Sequence, residues 1–156
     1  MLKNCARARR TSVAVIGWVC VAAQILLGQE HPAAPHSHPE AQTIQNPVPA
    51  GAESVAAGAR TYAKFCANCH GTSGRGNGRL ATGVAAYGAR PSDLVDDVWQ
   101  HGSTDGEIFV VIRDGTGPDS QMNGFKESIP IEDIWNVVNY IRSLKIAKQS
   151  PSRAGP

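Results

Sequence analysis

The residues of this 156-residue chain best suited to chemistry are two cysteines three positions apart with a histidine directly behind them, Cys66-Ala67-Asn68-Cys69-His70. The spacing C-x-x-C-H is the haem c attachment signature. Thiols three residues apart on a helical turn share a face, so both reach the two vinyl groups along one edge of a porphyrin and each adds as a thioether. His70 then stands where its imidazole coordinates the iron. Three other chemistries use a C-x-x-C pair. Structural zinc needs a second ligand pair, yet the other cysteines, Cys5 and Cys20, lie in or before an apolar N-terminal segment. Dithiol exchange wants a preceding strand and a βαβ framework, where this sequence offers a helix before and a glycine-rich loop after. A Cys66–Cys69 disulfide in an oxidising compartment is the remaining alternative.

The far side of such an iron takes a second donor, water or nothing. Met1 lies in the N-terminal segment, so Met122 is the thioether available to the folded body. It sits in Ser120-Gln121-Met122-Asn123-Gly124-Phe125, a turn-rich loop able to fold over a flat cofactor. The alternative for Met122 is a buried gap-filling side chain. His101 is the other contender for the sixth position, with the histidines near the N-terminus as remoter options. A second imidazole would lower the reduction potential relative to a thioether.

The elements that must position these residues are helical. Val55, Ala59, Tyr62, Phe65 and Cys66 recur at a spacing of three and four, predicting a helix from Glu53 that runs into the cysteines. Ile131, Ile134, Trp135, Val138, Ile141 and Leu144 repeat the period near the other end, after Pro130, with acids in the first turn and Arg142, Lys145 and Lys148 near the exit. The run Ile108 to Ile112 suits a buried strand by its β-branched content. Thr104 with Glu107 forms a capping box and Gly115 a stop, which favours a helix. Gly71 to Arg90 reads as a glycine-rich loop; no G-K-[ST] follows, so it is not a phosphate-binding loop.

Residues 1–28 hold four cations and no acid, with a nearly continuous apolar run over 13–27. That is the layout of an export signal, or of an uncleaved membrane anchor, although the run is short for a bilayer span. Residues 29–50 contain five of the ten prolines and few aliphatics, and read as a disordered linker. His31, His36 and His38 there form a short potential metal cluster, which no Cys or carboxylate pattern completes. Residues 51–148 make one small domain and 149–156 a flexible tail. Of fifteen cations, eleven remain beyond the first 28 residues against thirteen acids, which excludes a basic nucleic-acid binder. Within the domain ten cations meet eleven acids, so charge gives partners no strong steering.

The chain resembles a class I, monohaem, bacterial-type cytochrome c. The resemblance covers about residues 52–145 and is carried by Gly58 to Tyr62 before C-A-N-C-H-G, by Arg90-Pro91-Ser92-Asp93-Leu94, by Gly102 to Phe109, by the Met122 loop and by Ile134 to Leu144. It implies an all-α fold, three to five helices around one covalent haem c, with the first and last helices crossing at Gly58 beside Tyr62 and Tyr140. It implies Cys66 and Cys69 as attachment points and His70 and Met122 as the axial pair. No proline closely follows His70, Pro91 being 21 residues on, so another backbone carbonyl must orient the ring. Asn123 stands where the family commonly has proline.

The function implied is one-electron transport in a periplasmic chain rather than enzymatic turnover, with redox donor and acceptor proteins meeting an exposed haem edge of a monomeric domain. Tyr87, Leu94, Trp99, Phe109, Ile112 and Phe125 are candidates to surround the porphyrin, and Arg75, Arg79 or Arg90 to pair with a propionate. Two alternatives are a ligand-binding or peroxidase-like haem module with a displaceable sixth ligand, and a tethered haem subunit of a dehydrogenase or oxidase complex.

Overall fold

A computed structural model describes residues 36–88, 90–117 and 120–149. The leader of residues 1–28 and the tail beyond Gln149 lie outside the described residues. Five α-helices follow a 3₁₀ turn at Pro39–Ala41: α1 (Ala52–Phe65), α2 (Ala67–His70), α3 (Ala81–Ala85), α4 (Asp105–Asp114) and α5 (Ile131–Gln149). No strand occurs among the described residues, so the all-α expectation holds and Ile108–Ile112 is helical. The short α3 falls inside the stretch read as loop. None of these helices is long and apolar enough to cross a membrane.

The crossing of α1 and α5 is the centre of the fold. Ser54, Gly58 and Tyr62, spaced by four, form the buried stripe of α1. A Cβ on Gly58 would lie 2.0 Å from the Asn136 carbonyl oxygen, so glycine is what lets the two backbones approach. Tyr62 packs its ring 5.1 Å from that of Tyr140, and its hydroxyl donates to the Gly71 carbonyl at 2.8 Å, directly behind the C-x-x-C-H turn. Burial drives the Tyr62 phenol well above its ordinary range, helped by the neighbouring Cys66 and Tyr140. It therefore stays a neutral donor. Helix position is thus transmitted to the site by one buried hydrogen bond.

Helix α4 starts as the sequence predicts. Thr104 accepts from the Glu107 N–H while the Glu107 carboxylate accepts from the Thr104 N–H, a complete capping box that stabilises a helix start by about 1 kcal/mol. Its apolar face, Ile108, Phe109 and Ile112, is buried against α5. Phe109 stacks on Trp135 with ring centroids 3.9 Å apart. Ile134, Trp135, Val137, Val138 and Ile141 of α5 complete this core, whereas Ile131, expected on the same face, is exposed. Arg142 donates to Asp105 and to the Ser103 carbonyl, pinning the second half of α5 to the start of α4.

The linker reading does not hold for residues 36–50. Ala41 is fully buried and Val48 packs against the core. Gln42 donates to Glu107, Asn46 donates to Asn139, and Asn139 donates to the Val48 carbonyl and to Ser54. The segment is a strap across α4 and α5. Its anchors are polar groups meeting buried polar groups of the helices, which an argument from its sparse aliphatic content does not count.

Candidate haem site

Helix α1 breaks its regular course at Cys66 (φ −109°, ψ −37°) and restarts as α2. The Cys69 and His70 N–H groups both donate to the Cys66 carbonyl, at 3.1 and 2.9 Å. This closes one tight turn, which puts both cysteines on the same side. Both are free thiols, Cys66 buried and Cys69 half-buried, so the disulfide alternative is not adopted. Burial pushes the Cys66 thiol up to about 12, with Cys69 adding to the shift.

His70 donates from Nδ1 to the Ser92 carbonyl oxygen at 3.0 Å. Burial lowers its pKa, against which the Ser92 bond pulls upward. The imidazole is thereby held neutral, with Nε2 left as the donor. The chain after His70 wraps back onto the motif: Gly76 N–H donates to the His70 carbonyl, Gly78 N–H to that of Cys69 and Leu80 N–H to that of Asn68. Leu94 N–H donates to the Gly74 carbonyl at 2.6 Å and so brings the Pro91–Leu94 segment alongside. At Gly76 (φ +66°) a Cβ would lie 2.2 Å from the Pro91 carbonyl oxygen. The glycine content of this loop is what allows Ser92 to reach His70. The sequence calls for a backbone carbonyl to orient the ring without marking which, and the fold supplies that of Ser92.

Met122 is half-buried and lies outside the apolar core cluster, which disfavours a gap-filling role. Its N–H donates to the Ser120 hydroxyl at 3.0 Å, and its carbonyl accepts from Thr116 N–H at 3.1 Å. The Thr116 and Ser120 hydroxyls also hydrogen-bond each other. A bridge joins Gly115 to Asn123, and Phe125 N–H donates to Ile112. Phe125 sets its ring 6.0 Å from Phe65, the residue before Cys66. The loop therefore stands against the C-x-x-C-H end of α1, fastened by backbone bonds where a proline would have stiffened it.

Other candidates sort differently. Phe109 and Ile112 are core, Leu94, Trp99 and Phe125 half-buried, and Tyr87 is 79% exposed. Arg79 donates to Asn68 inside the motif at 2.8 Å, and Arg75 and Arg90 are exposed. His101 lies in a group with His36 and His38. Two grooves elsewhere, one lined by Arg60, Phe65 and Ile129 and one by Val48, Ile131 and Trp135, contain none of Cys66, Cys69, His70 and Met122.

Two free thiols on one turn, a neutral imidazole beside them and a thioether on a fastened loop are a donor set that fits a covalently held haem. Such a site on crossed helices defines a small monohaem cytochrome c. Residues 53–141 match the family described as cytochrome c oxidase, cbb3-type, subunit III, and the chain belongs to that family of haem c proteins. Among solved structures it is similar to a chain of the Kuenenia stuttgartiensis reducing HAO-like protein complex Kustc0457/Kustc0458, at 22% identity and a TM-score of 0.57, over 65% of this chain and 49% of that one. It spans about half the length of that neighbour. It is also similar to the KustC0563 c-type cytochrome, at 31% identity and a TM-score of 0.45, over 56% of this chain and 96% of that one.

Proposed function

We propose that the protein is a one-electron carrier in a periplasmic chain, holding haem c through Cys66 and Cys69 and its iron between His70 and Met122. The observation that carries this reading is the bond from His70 Nδ1 to the Ser92 carbonyl within a C-x-x-C-H turn: it fixes the ring and strengthens Nε2 as a donor. Bound haem supplies reversible ferric–ferrous exchange. The chain's residues supply the rest. Cys66 and Cys69 fix the cofactor's edge, and the Ser92 carbonyl holds the His70 ring in place. Met122, fastened at its N–H and its carbonyl, offers a thioether that excludes substrate from the iron. The cationic cluster and apolar run of residues 1–28 support export.

The test is the full chain produced with its haem. Intact mass gives one haem per chain, the colour survives acidified solvent, the ferric protein shows a sulfur-to-iron charge-transfer band, and the ferrous protein ignores carbon monoxide. Extractable haem overturns the attachment, and rapid carbon monoxide uptake turns the reading to a ligand-binding module. The same mass reports whether the leader is removed. A second reading, a haem subunit of a larger oxidoreductase complex, is favoured by the oxidase-subunit description of the matching family. A stable co-purifying enzyme supports it.

A further inference from the structure

His36 and His38, two positions apart, and His101, remote from both in sequence, each offer a ring nitrogen, and these atoms all lie within 4.8 Å of one another. The ring centroids of His36 and His38 are 4.8 Å apart, and those of His36 and His101 are 5.0 Å apart, both edge to face. We propose that these three imidazoles form a binding site for a divalent transition-metal ion of the Zn²⁺ or Cu²⁺ type, separate from the haem donors. The histidines near the N-terminus, taken alone, lack a completing ligand, and the fold supplies it as His101.

Three features make this a built site rather than a chance meeting of surface rings. First, His38 is 4% exposed and its Nδ1 lies 3.2 Å from a Glu40 carboxylate oxygen. A carboxylate on one ring nitrogen selects the tautomer that ligates through the other, here Nε2, and raises its basicity. Second, the strap is docked where the site needs it. The Glu107 carboxylate accepts from the His38 backbone, from Gln42 at 3.2 Å and from the Thr104 N–H at 3.0 Å, so one buried residue ties the strap to the chain just after His101. Third, the donor chemistry is selective. Three neutral imidazoles suit Zn²⁺, Cu²⁺ or Ni²⁺ and exclude Mg²⁺ and Ca²⁺, which take oxygen ligands. Tetrahedral bonds of about 2.0–2.1 Å put ligand nitrogens about 3.4 Å apart. Closing from 4.8 Å moves each ring by under about 1 Å, within the range of side-chain torsions. Three protein ligands leave the fourth position to water or an incoming donor.

The experiment is Zn²⁺ binding to the haem-loaded full chain, followed by equilibrium dialysis with metal counting and by X-ray absorption at the zinc edge. The expected result is about one Zn²⁺ per chain with three imidazole nitrogens at about 2.0–2.1 Å. His36→Asn and His101→Asn each weaken binding by more than about 100-fold, and Glu40→Gln by about tenfold, as for loss of an outer-shell partner. His38 is buried, so its variant is left out and unchanged haem absorption certifies the fold of the other three. Stoichiometric Zn²⁺ binding that none of these variants weakens overturns the site, as does its absence from the parent protein. New carbon monoxide uptake by ferrous His101→Asn with thermal unfolding unchanged from the parent also overturns it, because it puts His101 on the iron.

Discussion

The Nδ1–H of His70 and the carbonyl oxygen of Ser92 meet at 3.0 Å, and a set of backbone contacts arranges this meeting. Leu94 N–H on Gly74, Gly76 N–H on His70 and the close approach of Gly76 to Pro91 bring the two segments together. The bond itself is made by the Ser92 carbonyl, while the Ser92 hydroxyl donates to Gln100 and the Asp93 carboxylate accepts from the Val95 N–H at 2.8 Å. The bond is tested by changing the glycine that permits it.

Gly76→Ala is expected to move the Pro91–Ser92 backbone. The new methyl meets the Pro91 carbonyl oxygen at 2.2 Å and forces alanine to φ +66°. The left-handed backbone alone costs about 1–2 kcal/mol, and the clash adds to it. A longer His70–Ser92 bond withdraws electron donation from the ring, so the ferric state loses support and the reduction potential rises. Thermal unfolding and a redox titration check the two effects, and an unchanged potential with lowered stability would restrict Ser92 to a structural role.

Glu107→Gln tests the strap. Burial on its own raises the carboxyl pKa, but hydrogen bonds from Thr104, Gln42 and the His38 backbone outweigh it and leave the group below its ordinary value of 4.5. A depressed folded-state pKa means the stabilisation is present above 4.5 and is lost as pH falls through the lower folded value. The variant is expected to be less stable by about 1–3 kcal/mol at pH 7, the cost of disturbing a buried charged hydrogen-bond set. The gap from the parent protein stays flat from pH 7 to about 5.5 and closes on further acidification. Denaturant melts across pH 3–7 read this out; a gap that widens in acid contradicts the assignment.

How much of this was legible beforehand follows from what kind of signal each part leaves. The helix into Cys66, the capping box at Thr104 and the period of α5 are local patterns, and the C-x-x-C-H motif is contiguous. The strap over residues 36–50 was not legible, because Asn46 meets Asn139 and Gln42 meets Glu107 only once the helices are packed. The same holds for His101 beside His36, where no periodicity or spacing connects the two. Ser92 contributes a carbonyl, a group every residue has, so the sequence marks its neighbourhood through Pro91 but not the residue itself.

Gly58→Val is expected to open the crossing of α1 and α5. Even a single Cβ lies 2.0 Å from the Asn136 carbonyl and 2.9 Å from the Tyr140 Cβ, and backbone cannot step aside as a flexible side chain can. Overpacking in a closed interface costs about 1–3 kcal/mol, and a branched residue adds more. The loosened crossing also releases the Tyr62 hydroxyl from Gly71. Lower melting temperature together with a smaller yield of haem-bearing protein is the expected pair of observations. Asn136→Ala separates the contributions, since it removes the Ser54 hydrogen bond while leaving the backbones free to approach.

Met122→Ala is expected to leave the fold in place and change the iron. Met122 is half-buried and outside the core cluster, and its loop is held by backbone bonds at Thr116, Ile112 and Arg113 that do not involve its side chain. Stability of the polypeptide therefore changes little, apart from whatever the iron–sulfur bond itself contributes. Loss of the thioether removes the ligand that favours ferrous iron, so the reduction potential falls. The ferric charge-transfer band disappears and the ferrous protein takes up carbon monoxide. Replacement by histidine refills the position with a nitrogen donor: carbon monoxide is again refused while the potential stays low. Retention of the band in the alanine variant assigns the sixth position to another donor, and the Met122→His variant then has a spectrum no different from the parent's.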